Sequence, residues 1–214
     1  ETDKERDWNH VPVLGEKSYA DTELARFQYY DGKNPDWPVK ILQAEYHNAQ
    51  TTFESIQNET RDARTLIADN VESPNPVFTK GLTQVAMGAP QSVYTGGLLR
   101  ATVRYFDSDR VRPGLPLDVA ALVDKLGADS AGIQLVNLNT SEARNLIVQA
   151  GAFAEHEFVE VTYSDQTATV NSKYFAVQLP PGTSIRLDVA MRRFAHQPTY
   201  AFPWHGEEIP VPYQ

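Results

Sequence analysis

The chain contains no cysteine. That excludes disulfide staples, thiolate metal sites and cysteine nucleophiles together, and leaves packing and hydrogen bonding to hold the fold. Long apolar runs are missing too. No stretch approaches the roughly 18 consecutive apolar residues of a membrane span, and no charged-then-apolar leader opens the sequence. A soluble chain with no membrane partner is expected. Basic charge is scarce: 19 Lys and Arg stand against 28 Asp and Glu, a formal net charge of −9. An acidic surface repels phosphate backbones. The densest basic stretch, Arg100 to Arg104 with Arg110 and Arg112, is broken up by apolar residues and by Asp107 and Asp109. It reads as one solvated strand face, so nucleic acid is set aside as a partner.

Several catalytic signatures are also absent. No Ser lies in a Gly-x-Ser-x-Gly elbow, which disfavours an α/β-hydrolase. The glycines at 81 and 88 lack the Lys of a phosphate loop, and His10 and His47 have no His-x-x-x-His spacing. No cofactor and no metal is expected. Residue 1 is Glu, so the chain is expected to be a mature product, a cut fragment or a piece of a processed precursor. The compartment stays open.

What is present suffices for a core: 41% of residues are hydrophobic and 10% aromatic, which fits one domain or one domain plus an extension. Residues 1–35 are polar, with isolated rings and no sustained period, and read as an irregular N-terminal arm. Asp36-Trp37-Pro38 is a helix-start signal, an acidic cap followed by Pro in the first turn. Leu42, Tyr46, Ala49, Phe53 and Ile56 then recur every three or four residues, one stripe of a helix over 39–58. A second short helix is expected over 62–68. Pro74 and Pro76 close this helical segment, 36–76.

From residue 77 the period changes to two. Ala101, Val103 and Tyr105 share one face of a half-buried strand over 98–106, with Arg100, Thr102 and Arg104 on the other. Further strands are expected at 82–87, 133–138, 146–149, 157–163, 167–170, 174–179 and 185–191. Turns are expected at 94–97, 139–141, 164–166 and 180–183. Pro116, the stripe Val119, Leu122, Val123 and Leu126, and a closing Gly127 read as one short inserted helix. The fold class expected is mainly β: an antiparallel β-sandwich over 77–197, with an N-terminal helical arm and one inserted helix. Residues 198–214, rich in Pro and rings, form a C-terminal tail that cannot be a central strand. It is expected to wrap along the domain surface or to dock on a neighbour.

Two stretches carry a resemblance. Val136-Asn137-Leu138-Asn139, a turn, and Arg144 through Gln149 resemble the late β-sandwich domains of carbohydrate-active enzymes, as does the run from Val177 through Pro180-Pro181-Gly182 to Leu187. The resemblance is to the C-terminal β-sandwich domain of a large bacterial, glycoside-hydrolase-like protein. It implies a domain that buttresses a catalytic one and carries neither its acid nor its base.

Candidate sites follow from residue chemistry. On one strand Glu155 and Glu157 would share a face about 7 Å apart, with His156 opposite. Such a pair could bind a hard cation or act as acid and base, and it is also what a solvated strand edge produces. Asp107-Ser108-Asp109 reads as a turn held by its own carboxylates. His196, Tyr200, Trp204 and His205 mix imidazoles with rings that could contact a ligand or anchor the tail. Asn58 and Asn139 begin glycosylation-acceptor patterns of a kind common by chance. The expected function is a non-catalytic sandwich fragment or subunit serving a larger carbohydrate-active assembly. Its partner would be another polypeptide or the remainder of a precursor. One alternative is a carbohydrate-processing enzyme or sugar-binding module in its own right, using Glu155, Glu157, His156, Arg100 and Arg104. The other is a structural assembly subunit.

Overall fold

Alternating apolar residues over the later two-thirds of the chain build two antiparallel sheets. The structure, a computed structural model, describes residues 25–62, 64, 76, 77, 79–89, 100–206 and 209–213. One sheet runs β2 (Arg112–Pro113), β1 (Val103–Asp107), β5 (Arg144–Ala150), β8 (Tyr174–Leu179). The other runs β3 (Val119–Leu126), β4 (Ser130–Asn137), β9 (Ser184–Arg192), β6 (Glu157–Tyr163), β7 (Gln166–Ser172). The protein is a mainly β antiparallel sandwich preceded by helical elements. Its core comes from inward residues of both sheets. Val103, Leu146, Val148 and Phe175 of the first meet Ile133, Phe158, Val161 and Leu187 of the second in one buried cluster. Phe158 and Phe175 join the layers edge to face, 4.8 Å between centroids.

The inter-sheet crossings are tied by one side chain. Asn137 is buried, and its amide nitrogen donates to the carbonyls of Glu142, Leu179 and Pro180. Its side-chain oxygen accepts the Asn139 N–H. The 136–149 and 177–187 stretches, the ones with the family resemblance, thus form the β4–β5 and β8–β9 crossings and are bonded together at Asn137. Between β6 and β7, Ser164 and Asp165 both take positive φ, 46° and 65°, the two-residue turn that matches strand twist.

The helical elements are α1 (Trp37–Gln57) and α2 (Lys80–Met87). Asp36 is the α1 N-cap residue but makes no side-chain cap bond, and its carboxylate lies 3.8 Å from the Lys40 ammonium instead. Residues 25–30, within the span expected to be an irregular arm, are helical. Tyr29 and Tyr30 pack their rings against Trp37, which gives that aperiodic segment something to bury on. The Glu45 carboxylate accepts the N–H groups of Gly81 and Leu82. The chain divides into two compact units, Glu1–Leu82 and Thr83–Gln214. The expected turn at 94–97 lies outside the described residues, as does the expected helix at 62–68 except for Asp62 and Arg64. Among the described residues no helix is long and apolar enough to cross a membrane.

Two expected elements are corrected. Residues 116–127 are not a helix. Asp118 takes φ 64°, which breaks a helical start, and Val119–Leu126 pairs along its length with β4. Its inward side chains are Val119, Ala121 and Val123, at period two. A bulge between Val123 and Lys125 then shifts the alternation and brings Leu126 into line with Val123, while Leu122, before the bulge, is an apolar residue of the other face; together they mimic a helical stripe. Conversely, the strand expected at 82–87 belongs to α2. Val85 and Ala86 are buried, and Gly88 ends the helix in the left-handed region at φ 57°, where an added Cβ would come within 3.1 Å of Thr102, Val123 and Leu126.

Candidate functional site

The sequence singles out Glu155, His156 and Glu157, and the structure places them at the entry to β6. Glu155 does not share a strand face with Glu157. The chain at 151–154 bends, with Gly151 at φ 88° and Ala154 at φ 57°, so β6 begins only at Glu157. The Glu155 carboxylate fills the space a Cβ on Gly151 would occupy, and it accepts the N–H groups of Ala152 and Phe153 at 3.3 and 2.8 Å.

His156 is 2% exposed. Its Nδ1 accepts the backbone N–H of Phe194 at 3.0 Å, which puts the proton of the neutral ring on Nε2, 3.8 Å from the Glu155 carboxylate. The Phe194 ring stands edge-on at 4.8 Å. Burial pushes the imidazole pKa below its ordinary value; Glu155 pulls it up, and the Arg193 and Arg100 charges push it further down. Glu157 binds Arg192 at 2.7 Å and His196 at 2.9 Å. The His196 N–H donates to the Glu155 carbonyl and the Thr199 N–H to that of Phe153. All of these bonds fasten the 150–157 bend to the segment leaving β9. Arg104 joins the same construction by donating to the Ala152 carbonyl, and burial lowers its pKa. Arg100 is exposed.

The tail residues separate by environment. Trp204 stacks on Phe202 at 4.9 Å, and both rings meet the edge of the buried Phe106 at 5.8 and 6.3 Å. His205 lies beside these rings. Tyr213 donates to the carbonyls of Val161 and Gln166. Phe202, Trp204 and Tyr213 of the tail therefore lie along the chain's own sandwich, whereas Tyr200 is 88% exposed and touches Phe153 edge to face.

The acidic turn after β1 is held by its own carboxylates. Asp107 accepts the Arg110 N–H and pairs with Arg112, and Asp109 accepts from Asn145. Asn139 is likewise engaged, binding Ser141, Glu142 and Asp118, whereas Asn58 is exposed at the end of α1.

Sequence reading missed a second polar cluster, on the outer face of the five-stranded sheet. Arg186 binds Asp124 at 2.9 Å and Asp188, beside a groove of about 250 Å³ lined by Lys125, Ser130, Glu160, Thr162 and Asp188. Burial opposes ionisation of Asp124, but hydrogen bonds from Arg186 and Gln134 outweigh it and lower the pKa. Arg186 and Asp188, two apart on a strand, are legible as one face. Asp124 is not, because its strand reads as a helix. Among the described residues no three His, Asp or Glu side chains gather as a metal site.

Comparison with known proteins reaches the first unit. A family model described as a domain of unknown function (DUF8034) matches residues 1–83. No curated protein and no solved structure matches the chain.

Proposed function

We propose that the chain is a non-catalytic β-sandwich module supporting a larger carbohydrate-active, glycoside-hydrolase-like assembly. The observation that carries this reading is the use made of Glu155 and Glu157. One carboxylate is consumed by two backbone N–H groups and the other by Arg192 and His196. A glycosidase needs one carboxyl free to give a proton and another facing the anomeric carbon; here both hold a bend in place. The resemblance to buttressing sandwich domains supports the same reading, and it falls on the two crossings that Asn137 ties together. The test is turnover of a panel of aryl glycosides and oligosaccharides by the full chain. No rate above the blank is expected. Turnover that disappears in a Glu155→Gln, Glu157→Gln double variant would overturn the reading.

One observation favours a second reading, a sugar-binding module in its own right. Tyr200 presents an exposed ring propped against Phe153, and such rings can stack on the apolar faces of sugars. Calorimetric titration with the same oligosaccharides should then give weak binding that Tyr200→Ala abolishes. No heat with any of them would remove this reading.

A further inference from the structure

We propose that α1 pairs antiparallel with α1 of a second copy of this chain, through a heptad seam of Val39, Leu42, Tyr46, Ala49, Phe53 and Ile56. Of its 21 residues α1 buries only Trp37, Pro38 and Ile41, all near its start. Other large apolar side chains of the helix face outward: Val39 is 59% exposed, Tyr46 67%, Phe53 53% and Ile56 38%. These residues, with the half-buried Leu42 and Ala49, are spaced three, four, three, four and three apart. That is a strict two-in-seven repeat, narrower than the face a helix lays against its own domain and typical of a helix–helix seam. A helix with so little buried is marginal in water alone and gains from a partner.

The order of side-chain sizes favours one orientation. About a two-fold axis, antiparallel layers place Val39 against Ile56 of the second copy, Leu42 against Phe53, and Tyr46 against Ala49. The largest ring then meets the smallest side chain. A parallel, in-register pair would stack Tyr46 on Tyr46 and Ala49 on Ala49, one layer overfilled and the next empty. Antiparallel packing also sets each helix N-terminus beside the other's C-terminus, where the dipoles attract. One row flanking the seam is Gln43, Gln50 and Gln57; the other is Pro38, Glu45 and Thr52, in which antiparallel pairing sets Glu45 near Thr52 of the second copy, so no like charges meet along either edge.

The available area sets the strength. The exposed parts of these side chains amount to about 400 Å² per helix, given 150–250 Å² for a whole aromatic side chain. A pair therefore buries about 800 Å², short of the roughly 1,200 Å² at which stable specific interfaces begin, so the pairing is weak and transient, with a dissociation constant on the order of 100 µM. This pairing is independent of the proposed function, since it requires neither carbohydrate nor catalysis.

Sedimentation equilibrium of the full chain from about 5 to about 500 µM, bracketing that constant, tests the pairing. The weight-average mass should climb from 23.9 kDa toward twice that value. Ala49→Glu, which places a charge in two layers of the pair, should weaken association at least tenfold with an unchanged far-ultraviolet spectrum. His47→Gln, off the seam, should leave it alone. The native chain has no cysteine, so Val39→Cys with Ile56→Cys reports orientation by oxidation. On one helix the two positions are about 25 Å apart and cannot bridge. The double variant should form a covalent dimer, and neither single variant should. A monomer throughout the range, association indifferent to Ala49→Glu, or self-crosslinking of the Val39→Cys variant would each overturn the proposal.

Discussion

The sandwich and the α1 helix treat their side chains in opposite ways. In the sandwich, groups that could do chemistry are turned inward or spent on one another. Glu155 closes a bend, His156 accepts a main-chain N–H, and Asp124 and Asp188 share Arg186. In α1, beyond the buried Trp37, Pro38 and Ile41, the large apolar residues Val39, Tyr46, Phe53 and Ile56 face out. A reactive-looking cluster in the first region is thus part of the framework, whereas a plain apolar stripe in the second is the exposed, unspent feature. Burial and bonding decide which residues remain available, and residue type alone does not.

The largest expected contrast comes from Phe158. It is fully buried between the layers, so Phe158→Ala should cost about 3–5 kcal/mol of sandwich stability. Urea denaturation would show it as a lowered midpoint, and a loss under about 1 kcal/mol would mean the layers are not packed as described.

A smaller effect should come with pH. Because burial holds the native His156 pKa below its ordinary value, the unfolded chain takes up the proton first. Stability should begin to fall as pH drops below about 6.5, keep falling to the lowered native pKa, and level off beneath it. His156→Gln keeps a side-chain acceptor for the Phe194 N–H and removes the titration. The difference in urea midpoint between pH 7.5 and pH 5, chosen to span about 6.5, should therefore shrink in that variant. An equal difference in both proteins would place the acid sensitivity elsewhere.

The smallest effect should be on α1. Tyr46→Ser removes a large but mostly exposed ring, and in dilute solution should change stability by no more than about 0.5 kcal/mol. A loss several times larger would mean that the stripe is already covered within a single chain, which would erase the contrast between the two regions.

Much of the sandwich was readable in advance. Strands β6 and β8 begin and end where alternation places them, and Ser164-Asp165 turns the chain between β6 and β7 as its residue types suggest. The period is disguised where a local irregularity interrupts it. The bulge in β3 made alternate residues look helical, and the short α2 was too brief to show a helical repeat. The 155–157 cluster was visible as chemistry, but its role was not. That role depends on left-handed backbone at Ala154 and on Phe194, which lies 38 residues from His156 in sequence. Neither feature leaves a periodic trace. The same holds for Asn137, whose three carbonyl partners lie five, 42 and 43 residues away.

The tail has a consequence for how the sandwich behaves in a crowd. Strand β8 is an outermost strand, and such strands invite any extended peptide to continue the ladder. Here the Pro210 carbonyl occupies the Ala176 N–H. Pro210 and Pro212 have no N–H of their own to offer onward. Residues 209–213 thus act as a stopper, and a chain clipped after Gly206 should be prone to edge-to-edge stacking and aggregation.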